Sequence, residues 1–198
     1  MSKKTKYFLD TEFIENGSTI DLISIGIVCE DGRTYYAQNL KCDFTKASDW
    51  VWRNVFPHLL HFDMRGVRGC MGMPAIGTLS NARQSKCGNA EQPCPWRERY
   101  EIRNEVLEFM DVEKHGKPEV WGYYADYDWV AFCQLFGTMM ELPKGFPMYC
   151  RDIKQWADML GNPPLPKPEV EIHHALVDAQ GVQEMHEFLK KYSTITIP

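Results

Sequence analysis

The first forty residues alternate between apolar runs and turn signals. Residues 6–14 are apolar and aromatic and run into Asn16-Gly17, a dipeptide suited to a tight hairpin. Residues 20–29, rich in Ile, Leu and Val, run into Asp31-Gly32, and residues 34–39 follow. This pattern predicts a three-strand antiparallel meander. Further on, the period becomes helical. Ile102, Val106, Phe109 and Met110 share one helix face, and Ile153, Trp156 and Leu160 share another that ends at Gly161. Residues 119–124 read as a buried strand, 129–136 as a helix and 146–150 as a last strand. A Pro-rich linker, 163–168, precedes a final helix over 175–191. Strands first, then alternating helix and strand, predict an α/β fold with a mixed sheet flanked by helices.

Residues 63–95 break the pattern. Gly66, Gly69, Gly72, Gly77 and Gly88 mix there with Pro74, Pro93 and Pro95, and no period survives. We expect a single domain over 1–198 carrying a Gly-rich loop insertion at about 63–95. With 198 residues, 44% of them hydrophobic, one core is affordable and a second is not needed. Behind the basic start of the chain no long apolar segment follows, and no stretch approaches a membrane span, so a cytoplasmic protein is expected. The odd number of cysteines, seven, then predicts reduced thiols. Cys70, Cys87 and Cys94 lie in one stretch with His58 and His61 upstream. No CxxC or CxxH spacing supports zinc there.

Chemistry concentrates elsewhere. Asp10 and Glu12 interrupt an apolar strand two residues apart, which points both carboxylates to one face. Two such anions repel unless a cation compensates them, although a strand end reaching solvent would also suffice. Asp178 lies in line with the core stripe Val182, Met185 and Leu189, and His173 stands five residues before it. Asp128 opens a helix after the aromatic run Trp121-Gly122-Tyr123-Tyr124; it suits an N-cap or a ligand, with Asp126 a rival. The formal net charge of −5 excludes little, since most of it is these four acids.

These segments together resemble a known family. Phe8-Leu9-Asp10-Thr11-Glu12-Phe13 resembles the first motif of the DnaQ-like, or DEDDh, exonucleases, and Leu22-Ile23-Ser24-Ile25-Gly26 resembles the strand after it. Ala125-Asp126-Tyr127-Asp128 resembles the second motif and selects Asp128. His173-His174-Ala175-Leu176-Val177-Asp178-Ala179 resembles the third and selects His173 over His174. Within that superfamily, residues 10–26, Trp96-Arg97 and Ala131-Phe132-Cys133-Gln134-Leu135 are most similar to RNase AS-type exoribonucleases, which trim RNA 3′ ends and favour adenylate. The chain departs from the pattern at Tyr124, where many members carry Asn, and in the length of its Gly-rich stretch.

The resemblance implies a ribonuclease H-like fold and a 3′-5′ exonuclease that releases nucleoside 5′-monophosphates from single-stranded nucleic acid, RNA favoured over DNA. It implies two divalent ions, Mg²⁺ or Mn²⁺, held by Asp10, Glu12, Asp128 and Asp178, with His173 as general base and a homodimeric assembly. Phe13, Tyr127 and Trp129 flank the motifs and are candidates to stack on bases. Arg97 and Arg99 are candidates to hold phosphate. Two other readings remain: a single-stranded DNA exonuclease, and a catalytically silent nucleic-acid-binding module of the same fold.

Overall fold

The computed structural model describes residues 3–60, 94–167 and 173–196. The predicted meander is present as β1 (Lys4–Glu15), β2 (Ile20–Cys29) and β3 (Thr34–Asn39). A short helix α1 (Asp49–Asn54) follows, capped by the Ser48 side chain, which accepts from the Val51 amide. After β4 (Trp96–Arg97) come α2 (Arg99–Phe109), α3 (Val112–His115), β5 (Lys117–Gly122) and α4 (Asp126–Cys133). The chain ends with β6 (Arg151–Asp152), α5 (Ile153–Met159) and α6 (Ala175–Thr196).

The six strands form one sheet in the order β4-β3-β2-β1-β5-β6. The meander pairs are antiparallel, whereas β1–β5, β5–β6 and β3–β4 are parallel. This is the expected α/β, ribonuclease H-like arrangement. Side-chain alternation divides the core between the two faces. Tyr7, Leu9, Ile25 and Ile27 pack on Ile102, Val106 and Phe132 on one side. Phe8 and Val28 pack on Ile153, Ala179, Val182 and Leu189 on the other. Each fully buried Leu, Ile or Phe here contributes roughly 1.5–3 kcal/mol.

Several boundaries differ from expectation: β5 covers 117–122 instead of 119–124, and α6 continues to Thr196 instead of ending at 191. The stretch 146–150 is not a strand; pairing begins only at Arg151, because Pro147 offers no N–H and the chain is still turning. Helix α4 starts three residues before the predicted 129, and 135–136 continue it as tighter turns, with Leu135 N–H bonded to Phe132 O and Phe136 N–H to Cys133 O. The Gly-rich stretch 63–95 lies outside the described residues up to 93, as do His61, Cys70 and Cys87 of the zinc idea. Among the described residues, no helix is long and apolar enough to cross a membrane.

Candidate active site

Strand β1 outruns its parallel partner. Its pairing with β5 stops at Phe8↔Trp121, while its pairing with β2 continues to Glu15. The edge of β1 beyond Phe8 therefore faces the turn from β5 into α4 instead of a strand. There the Thr11 N–H, with no β5 carbonyl to meet it, is taken by Oδ1 of Asp128 at 2.8 Å, and the Thr11 hydroxyl donates to the same oxygen at 2.6 Å. Asp128 is thus no helix cap. It lies in the first turn of α4, whose N-cap position is Ala125, and it is buried while Asp126 is exposed. The Ala125 N–H is in turn held by Asp152 Oδ2 at 2.9 Å, which ties this turn to the start of α5.

Asp10 and Glu12 project from the opposite face of β1 toward the start of α6. That helix can come so close because Gly26 stands opposite Asp10 on β2. A Cβ on Gly26 would lie 2.2 Å from the Ala175 carbonyl oxygen, so only glycine admits α6 here. In the first turn of α6, Asp178 Oδ2 accepts from the His174 backbone N–H at 2.9 Å, which fixes the carboxylate at the helix entrance. Oxygens of Asp10, Glu12 and Asp178 then all lie within 4.8 Å of one another. Asp128 does not join that trio but lines the same cleft of about 320 Å³, with His173, Phe13, Trp50 and Tyr123.

Crowding these acids has an electrostatic consequence. Burial, and then the charges of Asp128, Glu12 and Asp178, hold the Asp10 carboxyl well above the usual carboxylate range. Glu12 is pushed up to about 8 by burial and by Asp178 and Asp128. Asp128 rises only to about 6, because the hydrogen bonds from Thr11 oppose its burial. Hard oxygen donors at this spacing fit Mg²⁺ or Mn²⁺, and a divalent cation would relieve the repulsion that raises these values.

The chain also has close sequence relatives. It is 37% identical over 175 residues to the 3′-5′ exoribonucleases MT2234.1 and Rv2179c of Mycobacterium tuberculosis (strains CDC 1551 / Oshkosh and ATCC 25618 / H37Rv), covering 88% of this chain and 87% of each relative. The chain belongs to this 3′-5′ exoribonuclease family. No protein-family model matches it.

Other residues of this exoribonuclease family member sort clearly by position. His173 lines the cleft and meets the Trp50 ring edge-on at 4.7 Å. His174 is turned away and stacks on Tyr36 at 4.5 Å. Phe13 lines the cleft, and Tyr127, half exposed, packs against it at 5.7 Å. Trp129 instead belongs to the core, stacked on Phe132 at 5.1 Å. Arg97 is fastened to Glu105 at 2.8 Å and to the carbonyls of Cys94 and Trp96. Arg99 reaches Gln134 at 3.5 Å. Neither arginine lines the cleft among the described residues. Three residues not foreseen belong to the site: Thr11, which positions Asp128, Trp50, which flanks His173, and Tyr123 in the cleft wall. Only Thr11 carried a signal, by standing between two acids on one strand.

Proposed function

We propose that the protein is a metal-dependent 3′-5′ exoribonuclease of the DEDDh, RNase AS-like type, which shortens single-stranded RNA from its 3′ end and releases nucleoside 5′-monophosphates. The observation that carries this reading is the meeting of Asp10, Glu12 and Asp178, from the two ends of the chain, in a cleft that also holds Asp128 and His173. Two Mg²⁺ or Mn²⁺ ions would be held by those four carboxylates. When bound, such ions supply activation of a water and stabilisation of the leaving 3′ oxygen.

The chain's own residues supply the rest. His173, kept off the trio and braced by Trp50, takes the proton as the water oxygen bonds to phosphorus. The bond from phosphorus to the 3′ oxygen of the preceding nucleotide breaks, and the terminal nucleotide leaves with its 5′-phosphate. Thr11 keeps Asp128 ionised and aimed. Phe13 and Trp50, aromatic surfaces of the cleft, would lie against the terminal base.

The test is digestion of 5′-labelled RNA and DNA oligomers of one sequence with Mg²⁺, with Mn²⁺ and with EDTA. The expected result is a ladder shortening from the 3′ end of RNA, nucleoside 5′-monophosphates as products, and arrest by EDTA. Faster loss of the DNA would move the substrate to DNA. Cleavage of circular RNA would make the protein an endonuclease, and RNA binding without cleavage in either metal would make it a silent binding module.

A further inference from the structure

The Pro-rich linker takes no part in the site described so far, yet it walls a second hollow. This annex, about 500 Å³ against about 320 Å³ for the acidic cleft, shares Tyr123 and Met185 with it, so the two adjoin. Their charges are opposite. The cleft is lined by four carboxylates, whereas the charged residues lining the annex, among those described, are Lys154 and Lys167.

The annex is preformed. Lys154 lies in the first turn of α5, its ammonium fastened by Asp158 one turn on. That helix ends in two left-handed residues, Gly161 (φ 82°) and Asn162 (φ 58°), and the Asn162 N–H returns to Ala157 O at 2.7 Å. The chain then runs through Pro163, Pro164 and Pro166, whose rings fix the backbone and present no N–H groups, so a stiff wall forms without regular structure. Lys167 stands exposed at its end. At the mouth shared with the cleft, the Tyr123 ring lies 4.6 Å from that of Tyr124, which is largely exposed.

We propose that this annex is the track for the nucleotides that precede the 3′-terminal one in a single-stranded polynucleotide. The inference rests on the exonuclease reading. A polymer whose last phosphodiester sits at the acids must lead its next phosphates away from them, and the annex offers two cations directly beside the cleft. The tyrosine pair offers ring faces for bases of any identity, as a sequence-tolerant track requires.

The experiment compares K154Q/K167Q with the unaltered protein on two substrates. One is a ten-nucleotide RNA; the other is a p-nitrophenyl ester of a nucleoside 5′-monophosphate, in which the leaving group replaces the upstream chain. The expected rise in KM on the decamer exceeds any change on the ester by about tenfold, and the slope of log KM against log salt falls by about 0.7 for each lost phosphate contact. K167Q alone leaves the α5 ion pair in place and should show about a threefold selective rise. K114Q, the same charge change on α3, should move neither substrate. Equal losses on decamer and ester, or a decamer KM and salt slope that do not move, overturn the track. Failure of the unaltered protein to cut either substrate defeats the exonuclease reading beneath it, and the track with it.

Discussion

Thr11 gives both its backbone N–H and its hydroxyl to one oxygen of Asp128, at 2.8 and 2.6 Å. The pair takes the place of a strand contact that β5 no longer makes, and it couples two motifs separated by more than a hundred residues. Because both bonds favour the ionised form, Asp128 stays near 6 despite burial. Thr11→Val keeps the amide bond and removes the hydroxyl. The expected outcome is a fall in turnover of about tenfold, with the acid limb of the pH–rate profile moved upward, since a hydrogen bond to a charged group contributes about 1.5–3 kcal/mol. A pH–rate profile of the variant checks this, and an unshifted acid limb would remove Thr11 from the site.

His173 brings an imidazole to the cleft lining, and it stands beside the acids without belonging to the trio. His173→Ala should therefore bind Mn²⁺ nearly as the unaltered protein does while turning over about 10²–10⁴-fold more slowly. Isothermal titration with Mn²⁺, run beside a turnover assay, separates the two effects. Full activity in the variant would end the assignment of His173 as the base.

Much of this arrangement is legible in the sequence because it is written in periods and pairs. The meander shows as strands of period two closed by Asn16-Gly17 and Asp31-Gly32, and the acids show as breaks in apolar stripes. Trp129, a stacking candidate by its place beside the second motif, is instead buried with Phe132 and Cys133, which follow it at helical spacing. The contribution of Trp50 is not legible. It comes from a six-residue helix too short to show a face, and it reaches His173 only because α6 packs against β2 at Gly26. Likewise the fastening of Arg97 depends on where β4 meets α2, which is a tertiary relationship.

Clustered acids also make metal-free stability depend on pH. The Glu12 carboxyl, ordinarily at 4.5, is raised to about 8 in the folded state, and Asp10 is raised as well. The folded protein therefore holds these protons more tightly than the unfolded chain does. That contribution is fully present below about pH 4.5 and is lost as pH rises towards 8. In EDTA, the melting temperature should fall by roughly 5 °C or more between about pH 5.5 and pH 8, and saturating Mg²⁺ or Mn²⁺ should close the gap. Glu12→Gln should flatten the metal-free profile. Scanning calorimetry at several pH values reads all three effects, and a metal-free melting temperature that climbs with pH would contradict the electrostatics of the cleft.

Tyr124 marks a local conflict between chain and fold. Its φ of 53° lies in the left-handed region, where a bulky side chain costs about 1–2 kcal/mol. The turn needs that conformation: β5 must stop at Gly122 so that Asp128 can come round to Thr11, and a Cβ on Gly122 would lie 2.4 Å from that of Ala125. Asn tolerates such a backbone because its short polar side chain bonds locally. Tyr124→Asn should accordingly raise the melting temperature by about 2–4 °C in thermal unfolding followed by circular dichroism. The ring contact with Tyr123 at 4.6 Å works against that gain. A melting temperature that falls in the variant would mean that the aromatic pair stabilises the turn by more than the strained backbone costs.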